Sequence, residues 1–331
     1  MNRRGQFLRH QAPSARAQAQ RLTGSFILLT VVLAAPLAAE VSFADGRLLI
    51  DGLLWTRADI GQSVTQGWTK TWVNFKCPAA LLGLTGKVSA VATVRVYFDV
   101  LNRTPLDLYT QVQWPNGLSV KAGQFKLPLG FDVMAQEAEL KLGSNTFLYW
   151  YGKPVGPRDI GVLLAYDHCW LNAAAALVNG TGPNSYDNNN YKDLGGRVEV
   201  RPVKDLRLAG NGYYGRTDSA GVQWVLLGAE AAYDPAPLAI QAEFKSLRHG
   251  TTQLVGGYFQ LAYDFGLLEP AGHIDAVFPQ GKDEQPDVVL TAGLNIKPLA
   301  NRLKIMLTYH LHKAVARWTY YEYGLQLQAA L

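Results

Sequence analysis

Cysteine and long apolar runs are both scarce in this sequence. The only cysteines among the 331 residues are Cys77 and Cys169. Two thiols cannot form the disulfide framework of a small secreted domain, although a single bridge between them stays open for an exported chain. The one sizeable apolar run, from Phe26 to Leu37, is shorter than the ~20 residues that a transmembrane helix needs. The composition therefore disfavours a helical membrane protein.

The apolar run lies in a segment with the layout of a secretory signal peptide. Five arginines precede it and small residues follow it, as in a basic leader, an apolar core and a small-residue cleavage site. We expect cleavage after Ala39, with Ala44 as the second choice. This divides the chain into a signal peptide at 1–39 and a mature domain at 40–331. The alternative, an uncleaved membrane anchor, is disfavoured by the length of the run.

The mature chain also lacks net charge. The formal charge of +5 belongs to the leader, since residues 1–39 hold five arginines and no acid, which leaves 26 basic against 26 acidic residues. The sequence pI of about 9.0 therefore gives no reason to expect a nucleic-acid partner. A preference for anions would have to come from the local placement of charges.

What the sequence does contain is a repeated two-residue alternation. In the stretch 191–215, Arg197 and Glu199 share one face of a strand and Val198 and Val200 share the other. A soluble sheet with one face on a core shows the same alternation. Such segments fill nearly the whole mature chain, however, and no convincing amphipathic helix accompanies them. We therefore predict an all-β fold, a transmembrane antiparallel up-and-down β-barrel with apolar residues toward lipid and polar residues toward a wet lumen.

About 16 strands can be placed by this alternation. If the N-terminus is periplasmic, short turns fall on the inner side and longer connections, among them 59–67 and 129–157, fall on the outer side. The apolar stretch 78–86 is an exception, because it forms a long inner connection. We place the strands near 46–57, 68–76, 89–101, 106–114, 119–128, 158–166, 170–178, 191–201, 206–215, 222–233, 238–248, 252–265, 269–278, 287–297, 302–313 and 319–331.

Short motifs along the mature chain resemble the phosphate-selective porin O and P family. They occur in the family's order at 122–130 (AGQFKLPLG), 157–162 (PRDIGV), 178–182 (VNGTG), 187–193, 196–202 (GRVEVRP), 228–233 (GAEAAY) and 242–244 (AEF). The resemblance implies a 16-stranded outer-membrane barrel, often a trimer, which the outer-membrane assembly machinery inserts. It also implies that the third outer loop, 129–157 here, folds inward and narrows the pore.

In this family a ladder of Arg and Lys guides phosphate through the constriction. The resemblance thus implies an anion-attracting set at the loop and its edges, consisting of Lys126, Lys141, Lys153 and Arg158. The same loop carries Asp132, Glu137 and Glu139. In the alternative interpretation, lumen charges only pair across strands and keep a non-selective pore wet. Further basic candidates for the lumen are Arg95, Arg197, Arg201, Arg207, Lys245, Lys297, Arg302 and Lys304.

No residues point to chemistry on a substrate. His310 and His312 share a predicted lumen face, but a metal site needs further ligands and none is apparent. An enzyme would need a nucleophile beside a base, and the six His give no convincing pairing with a Ser. We therefore predict no catalytic residue, metal or cofactor.

The prediction is a porin of the Gram-negative outer membrane, a homotrimer in contact with outer-membrane lipid. It would pass small hydrophilic solutes passively, with some preference for anions such as phosphate. A non-selective diffusion porin and a non-conducting structural or adhesive barrel are the alternatives. A conductance measurement distinguishes the structural or adhesive barrel from both kinds of porin, because an occluded barrel does not conduct.

Overall fold

The computed structural model describes residues 41–43, 45–65, 68–143, 156–217, 221–280, 286–300, 302–314 and 318–330. The predicted signal peptide at 1–39 lies outside these residues, and so does Lys153. In the described part of the chain, no helix has the length and apolar character needed to cross a bilayer.

Almost all of the described chain is β-strand. Period-two alternation of polar and apolar residues, with turns between the segments, favours strands over helices. The described residues form β1 (Val41–Phe43), β2 (Leu48–Thr65), β3 (Trp68–Lys87), β4 (Ala92–Asp99), β5 (Thr104–Gln113), β6 (Leu118–Lys126), the one-turn helix α1 (Phe131–Met134), a 3-10 turn (Glu137–Glu139), β7 (Arg158–Asp167), β8 (Leu171–Val178), β9 (Asp193–Val203), β10 (Leu206–Thr217), β11 (Val222–Tyr233), β12 (Leu238–His249), β13 (Thr252–Tyr263), β14 (Leu268–Pro279), β15 (Asp287–Ile296), β16 (Leu303–Ala314) and β17 (Trp318–Ala330).

Within the described residues, sixteen of these strands, β2 to β17, form a closed antiparallel barrel. Each strand pairs with the next along the chain, and β17 pairs back with β2 over Trp318–Ala330. The short β1 pairs with the start of β2. Closure gives the barrel strands backbone partners on both sides, which a sheet in lipid requires. The predicted up-and-down barrel of about 16 strands is confirmed.

The two faces of the barrel wall differ in polarity. Along β9, Arg197 and Glu199 are buried, whereas Leu194 and Val198 are more than half exposed. The same holds around the ring, where the inward side chains include buried acids, bases and amides and the outward ones are mostly Leu, Val, Ile and aromatic residues. The fold therefore turns its polar side chains inward and its apolar side chains outward.

The first hairpin differs from the prediction. We expected connections at 59–67 and 78–86, but β2 continues through Thr65 and β3 continues through Lys87. A register shift explains the error, since Trp55 pairs with Ala79 whereas Arg57 pairs with Lys76. A bulge of this kind accommodates Pro78 within a strand and changes which residues face inward. The alternation therefore breaks in the sequence although the strand does not.

The two ends of the barrel carry connections of different length. At one end, the short-turn end, successive strands are joined by no more than six residues, as at 168–170 and 204–205. The other end, the long-loop end, has the two long connections 127–157 and 179–192, although others there, such as 250–251, are as short as those of the first end. In the longest of them, 127–157, residues 127–143 lie against the inside of the barrel.

Candidate functional site

The connection between β6 and β7 begins in an apolar cluster on the inner wall. Leu127, Leu129 and Val133 are buried and pack with Tyr213 and Leu226, which point inward from β10 and β11. Burial of an aliphatic side chain stabilises its position by about 1.5–3 kcal/mol. The first described part of this connection is residues 127–143, called segment 127–143 below. Its start is therefore fixed to the inner wall.

Polar side chains of the barrel hold the backbone of the same segment. Glu243 on β12 accepts a hydrogen bond from the amide of Asp132 (3.3 Å). The Lys304 ammonium on β16 donates to the carbonyl of Ala138 (2.7 Å), and the Gln328 amide on β17 donates to the same carbonyl (3.0 Å). The segment thus contacts inward-facing side chains on well-separated strands. Residues 144–155 of the predicted inward loop lie outside the described residues.

Two adjoining cavities lie between this segment and the inner wall of β9 to β14. Their volumes are about 280 and about 360 Å³. Because both are lined by Lys141, Arg207, Gln241 and Gln260, they adjoin, and we call the two together the passage. It reaches the turns at 234–237 and 264 on the short-turn end. Charged and amide side chains make up more than half of the lining residues, so water and small hydrophilic solutes can occupy it.

Both arginines that line the passage pair with a carboxylate and lie against the same aromatic ring. The Arg197 guanidinium lies 2.8 Å from a Glu230 carboxylate oxygen, and that of Arg207 lies 2.7 Å from an Asp234 oxygen. Both guanidinium groups also lie 4.9 Å from the centroid of the Phe131 ring. Cation–π contact of this kind is worth about 0.5–2 kcal/mol. Phe131 therefore anchors the segment between two charged side chains of the wall.

The structure brings together two of the four predicted constriction cations. Lys126 and Arg158 pair in register across β6 and β7. Their cationic groups lie 3.2 and 3.6 Å from the same oxygen of Glu137, and Arg158 also donates to Asp107 (2.7 Å). Burial acts to raise the pKa of Glu137, but attraction to Lys126 and Arg158 outweighs it and lowers the pKa.

The other two predicted cations are not part of this cluster. The Lys141 ammonium lies 3.0 Å from a Glu269 carboxylate oxygen on β14 and borders the passage. Lys153 lies outside the described residues. The three described members of the predicted set are thus divided between the base of the segment and its far end.

Most of the remaining predicted cations also have carboxylate partners. Among the described residues, Lys304 and Arg302 have none: Lys304 is buried against carbonyls of the segment, and Arg302 is exposed. The ion pairs are Arg95 with Asp51, Arg201 with Glu199 and Asp167, Lys245 with Glu243, and Lys297 with Asp264 and Glu269, beside those of Arg197 and Arg207 described above.

Sequence reasoning named the cations of the lumen but missed these partners. Some were visible, because residues two apart on a strand share a face, as do Arg197 with Glu199 and Glu243 with Lys245. Ion pairs between different strands could not be predicted from the sequence, because they depend on the register in which the strands pair. The Arg197–Glu230 pair is an example, since its members lie 33 positions apart.

The residues considered for other chemistry form neither a metal site nor a disulfide in the described part of the chain. Within the described residues there is no group of three or more His, Cys, Asp or Glu that could hold a metal ion, and this includes the surroundings of His310 and His312. Cys77 and Cys169 are both free and exposed. The bridge that the sequence left open is therefore not formed.

Solved structures share this fold at very low sequence identity. The anion-selective porin from Comamonas acidovorans has a TM-score of 0.65 and 12% identity, with 86% of this chain and 99% of that chain covered. OmpT, an outer membrane protein of Vibrio cholerae in trimer form, has a TM-score of 0.64 and 11% identity, covering 89% and 100%. The outer membrane channel DcaP of Acinetobacter baumannii has a TM-score of 0.63 and 10% identity, covering 89% and 100%. No family model and no curated protein matches the sequence. Such low identity shows the fold alone.

Proposed function

We propose that this protein is a porin, a passive water-filled channel for small hydrophilic solutes. The observation that carries the proposal is the closed barrel with apolar residues outside and charged residues and polar-lined cavities inside. An apolar outer face fits lipid, and charged groups on the inner face keep a lumen wet. Passive diffusion down a gradient needs no cofactor and no covalent step.

The proposed location is the outer membrane of a Gram-negative cell, reached through the predicted signal peptide at 1–39. The apolar outer face and the likeness to solved outer-membrane proteins support this. We also propose a homotrimer, which is the assembly named for one of the similar structures, and insertion by the outer-membrane assembly machinery. The motif resemblance to the phosphate-selective porin O and P family stays a proposal as well.

The charge preference of the channel is a separate question. The sequence predicts some preference for anions such as phosphate, and that prediction depends on Lys126, Lys141, Lys153 and Arg158. Among the described residues, Lys126 and Arg158 share Glu137 and Lys141 pairs with Glu269. Paired cations attract a passing anion far less than free ones do. We therefore propose general diffusion as the main function, and anion preference stays a prediction.

Conductance of the purified protein in planar lipid bilayers tests the proposal. We expect stepwise insertion events with a conductance that rises with KCl concentration, as for a water-filled pore. Addition of phosphate to a chloride solution then tests for a phosphate site through block of the chloride current. Absence of any conductance from folded protein would contradict the porin function and favour a structural or adhesive barrel.

A further inference from the structure

A further cavity lies at the short-turn end of the barrel, beside the passage. Its volume is about 530 Å³, and residues of the turns at 168–170 and 204–205 line it. It shares Arg207 and Asp234 with the passage, so the two adjoin at this end. The turns that surround it, 168–170, 204–205 and 234–237, all belong to the described part of the chain.

Cys169 lines this cavity and is exposed. It occupies the first corner of a two-residue turn, since the amide of His168 donates to the carbonyl of Leu171 (2.7 Å) and the amide of Leu171 donates back (3.2 Å). The amide of Arg201 on β9 donates to the carbonyl of Trp170 (2.9 Å). The backbone that carries the thiol is therefore held in place against the neighbouring strand.

A histidine lies directly beside this thiol. The Nδ1 atom of His168 is 3.3 Å from Cys169 Sγ. The imidazole ring is parallel to that of Tyr166 (6.3 Å between centroids) and edge-on to that of Trp170 (6.0 Å), and these contacts limit its rotation. A histidine within hydrogen-bond reach of a thiol can accept the thiol proton, and the resulting thiolate is the nucleophile in disulfide exchange. The turn therefore carries a nucleophile and its base.

Two arginines of the cavity lining offer donors to a carboxylate. The Arg201 side chain donates one hydrogen bond, to Glu199 (2.9 Å), and its guanidinium also lies 3.7 Å from an Asp167 oxygen. The Arg207 side chain donates one, to Asp234 (2.7 Å). Both side chains are more than a third exposed or close to it, at 35% and 39%. A guanidinium has five N–H donors, so both arginines keep donors for a carboxylate that enters the cavity.

We propose that Cys169 is a modification site, which undergoes reversible exchange with small disulfides that carry carboxylates. His168 takes the thiol proton, and the thiolate attacks one sulfur of the disulfide. A new bond joins that sulfur to Cys169, the original sulfur–sulfur bond breaks, and the other half leaves as a thiolate that regains a proton from His168. Cys169 is oxidised and the released half is reduced. The attached half occupies the cavity, where Arg201 and Arg207 bind its carboxylate.

The effect of this modification rests on the channel function proposed above, whereas its chemistry does not. Because the cavity adjoins the passage, a group attached to Cys169 lies at the short-turn mouth of the pore. We therefore expect attachment to lower the single-channel conductance. In the proposed orientation the short-turn end faces the periplasm, an oxidising compartment in which disulfides persist.

The test compares the two single-cysteine variants of the full chain in detergent. Oxidised glutathione, which carries carboxylates, is added at pH 7, and mass spectrometry follows the attachment of glutathione. We expect Cys77→Ser, which keeps Cys169, to react about tenfold faster than Cys169→Ser, which keeps Cys77. Cys77 is a matched control, because it is also exposed but its Sγ lies 2.9 Å from the carbonyl oxygen of Trp55, which cannot take up the thiol proton. Adding His168→Asn to Cys77→Ser should slow the reaction about tenfold.

Two charge variants test the preference for carboxylates. Lys204 and Asp205 line the cavity, are exposed and form no ion pair with any described residue. Lys204→Gln should slow the reaction with oxidised glutathione about twofold, and Asp205→Asn should accelerate it about twofold. Asparagine suits this position, since Asp205 has a φ of 64°, which asparagine adopts readily. Neither variant should change the rate with the uncharged hydroxyethyl disulfide.

Equal rates for the two single-cysteine variants would overturn the proposal, and this comparison leaves His168 in place, so it decides the matter even if H168N does not fold. An unchanged rate in folded H168N would overturn the role of the histidine. Charge variants that act equally on both disulfides would overturn the preference for carboxylates. Wild-type conductance after attachment, with treated Cys169→Ser as the blank, would overturn the effect on the pore. Attachment to folded protein that never conducts would overturn the channel function and leave the modification site intact.

Discussion

At the scale of single residues, Glu137 shows how the lumen is stabilised by opposite charges in contact. It is largely buried and faces two cations, Lys126 and Arg158, which would otherwise repel each other across adjacent strands. Removing one member of such a group costs more than the group contributes as a whole, because the remaining charges stay buried without a partner. Glu137 therefore fixes both the segment on which it lies and the two strands that the segment joins.

The Glu137→Gln variant should be destabilised in a way that depends on pH. Since the pKa of Glu137 is lowered in the folded state, its stabilising effect is complete above the ordinary pKa of about 4.5 and is lost as pH falls through the lowered value. We expect E137Q to lose about 1–3 kcal/mol relative to wild type at pH 7 and less at pH 3. Thermal unfolding in detergent, followed by circular dichroism at both pH values, measures this. Equal differences at the two pH values would contradict the ion-pair role, and Glu139→Gln should shift neither transition.

At the scale of structural elements, segment 127–143 depends on one close approach of its backbone to the wall. Gly130 has a φ of 115°, in the region that side chains rarely adopt, and a Cβ built on it would lie 2.0 Å from Glu243 Oε1. Only glycine allows this contact without strain. The turn at Gly130 thus directs the chain from the apolar cluster of Leu127 and Leu129 along the inner wall.

Gly130→Ala should therefore displace the segment without opening the barrel. We expect a single-channel conductance that differs from wild type and shows more open-channel noise, together with a loss of about 1–3 kcal/mol in stability. Gly86→Ala is the matched control, because no atom lies within 4 Å of a Cβ at Gly86. Wild-type conductance in G130A would mean that this segment does not limit the pore.

At the scale of the whole molecule, the two ends of the barrel can be distinguished by their free cysteines, one lying toward each end. Cys169 lies in the turn 168–170 at the short-turn end. Cys77 lies in the part of β3 beyond Leu81, where pairing with β4 stops, on the side of the long-loop end. In the proposed orientation the long-loop end faces the outside of the cell.

Labelling of intact cells tests this orientation. A maleimide on a large polyethylene glycol, which cannot cross the outer membrane, should label a Cys169→Ser variant through Cys77. It should not label a Cys77→Ser variant until the membrane is permeabilised. The opposite pattern would show that the short turns face outward. Removal of both cysteines provides the background, and unchanged conductance shows that the variants are folded.

The sequence allowed the strands to be predicted because the wall of this barrel is one residue thick. Each residue faces either a polar lumen or an apolar outside, so an alternation such as Arg197, Val198, Glu199 is readable directly. The prediction of strands failed where this alternation is interrupted, at the Trp55 to Arg57 register shift opposite Pro78. The contacts of Lys126 and Arg158 with Glu137 could not be predicted, because they depend on the path of an irregular segment across the lumen.

The seam between the first and last barrel strands has a consequence for the order of assembly. Trp55 on β2 donates to Gln328 on β17 (3.0 Å), across 273 positions of sequence. Until β17 is available, a sheet of the other strands has two edges with unpaired backbone groups, which lipid cannot satisfy. Such long-range closure is slow, since its entropic cost precedes the contacts that reward it. We therefore expect closure of the β17–β2 seam by the last hairpin to set the rate at which cells mature the protein.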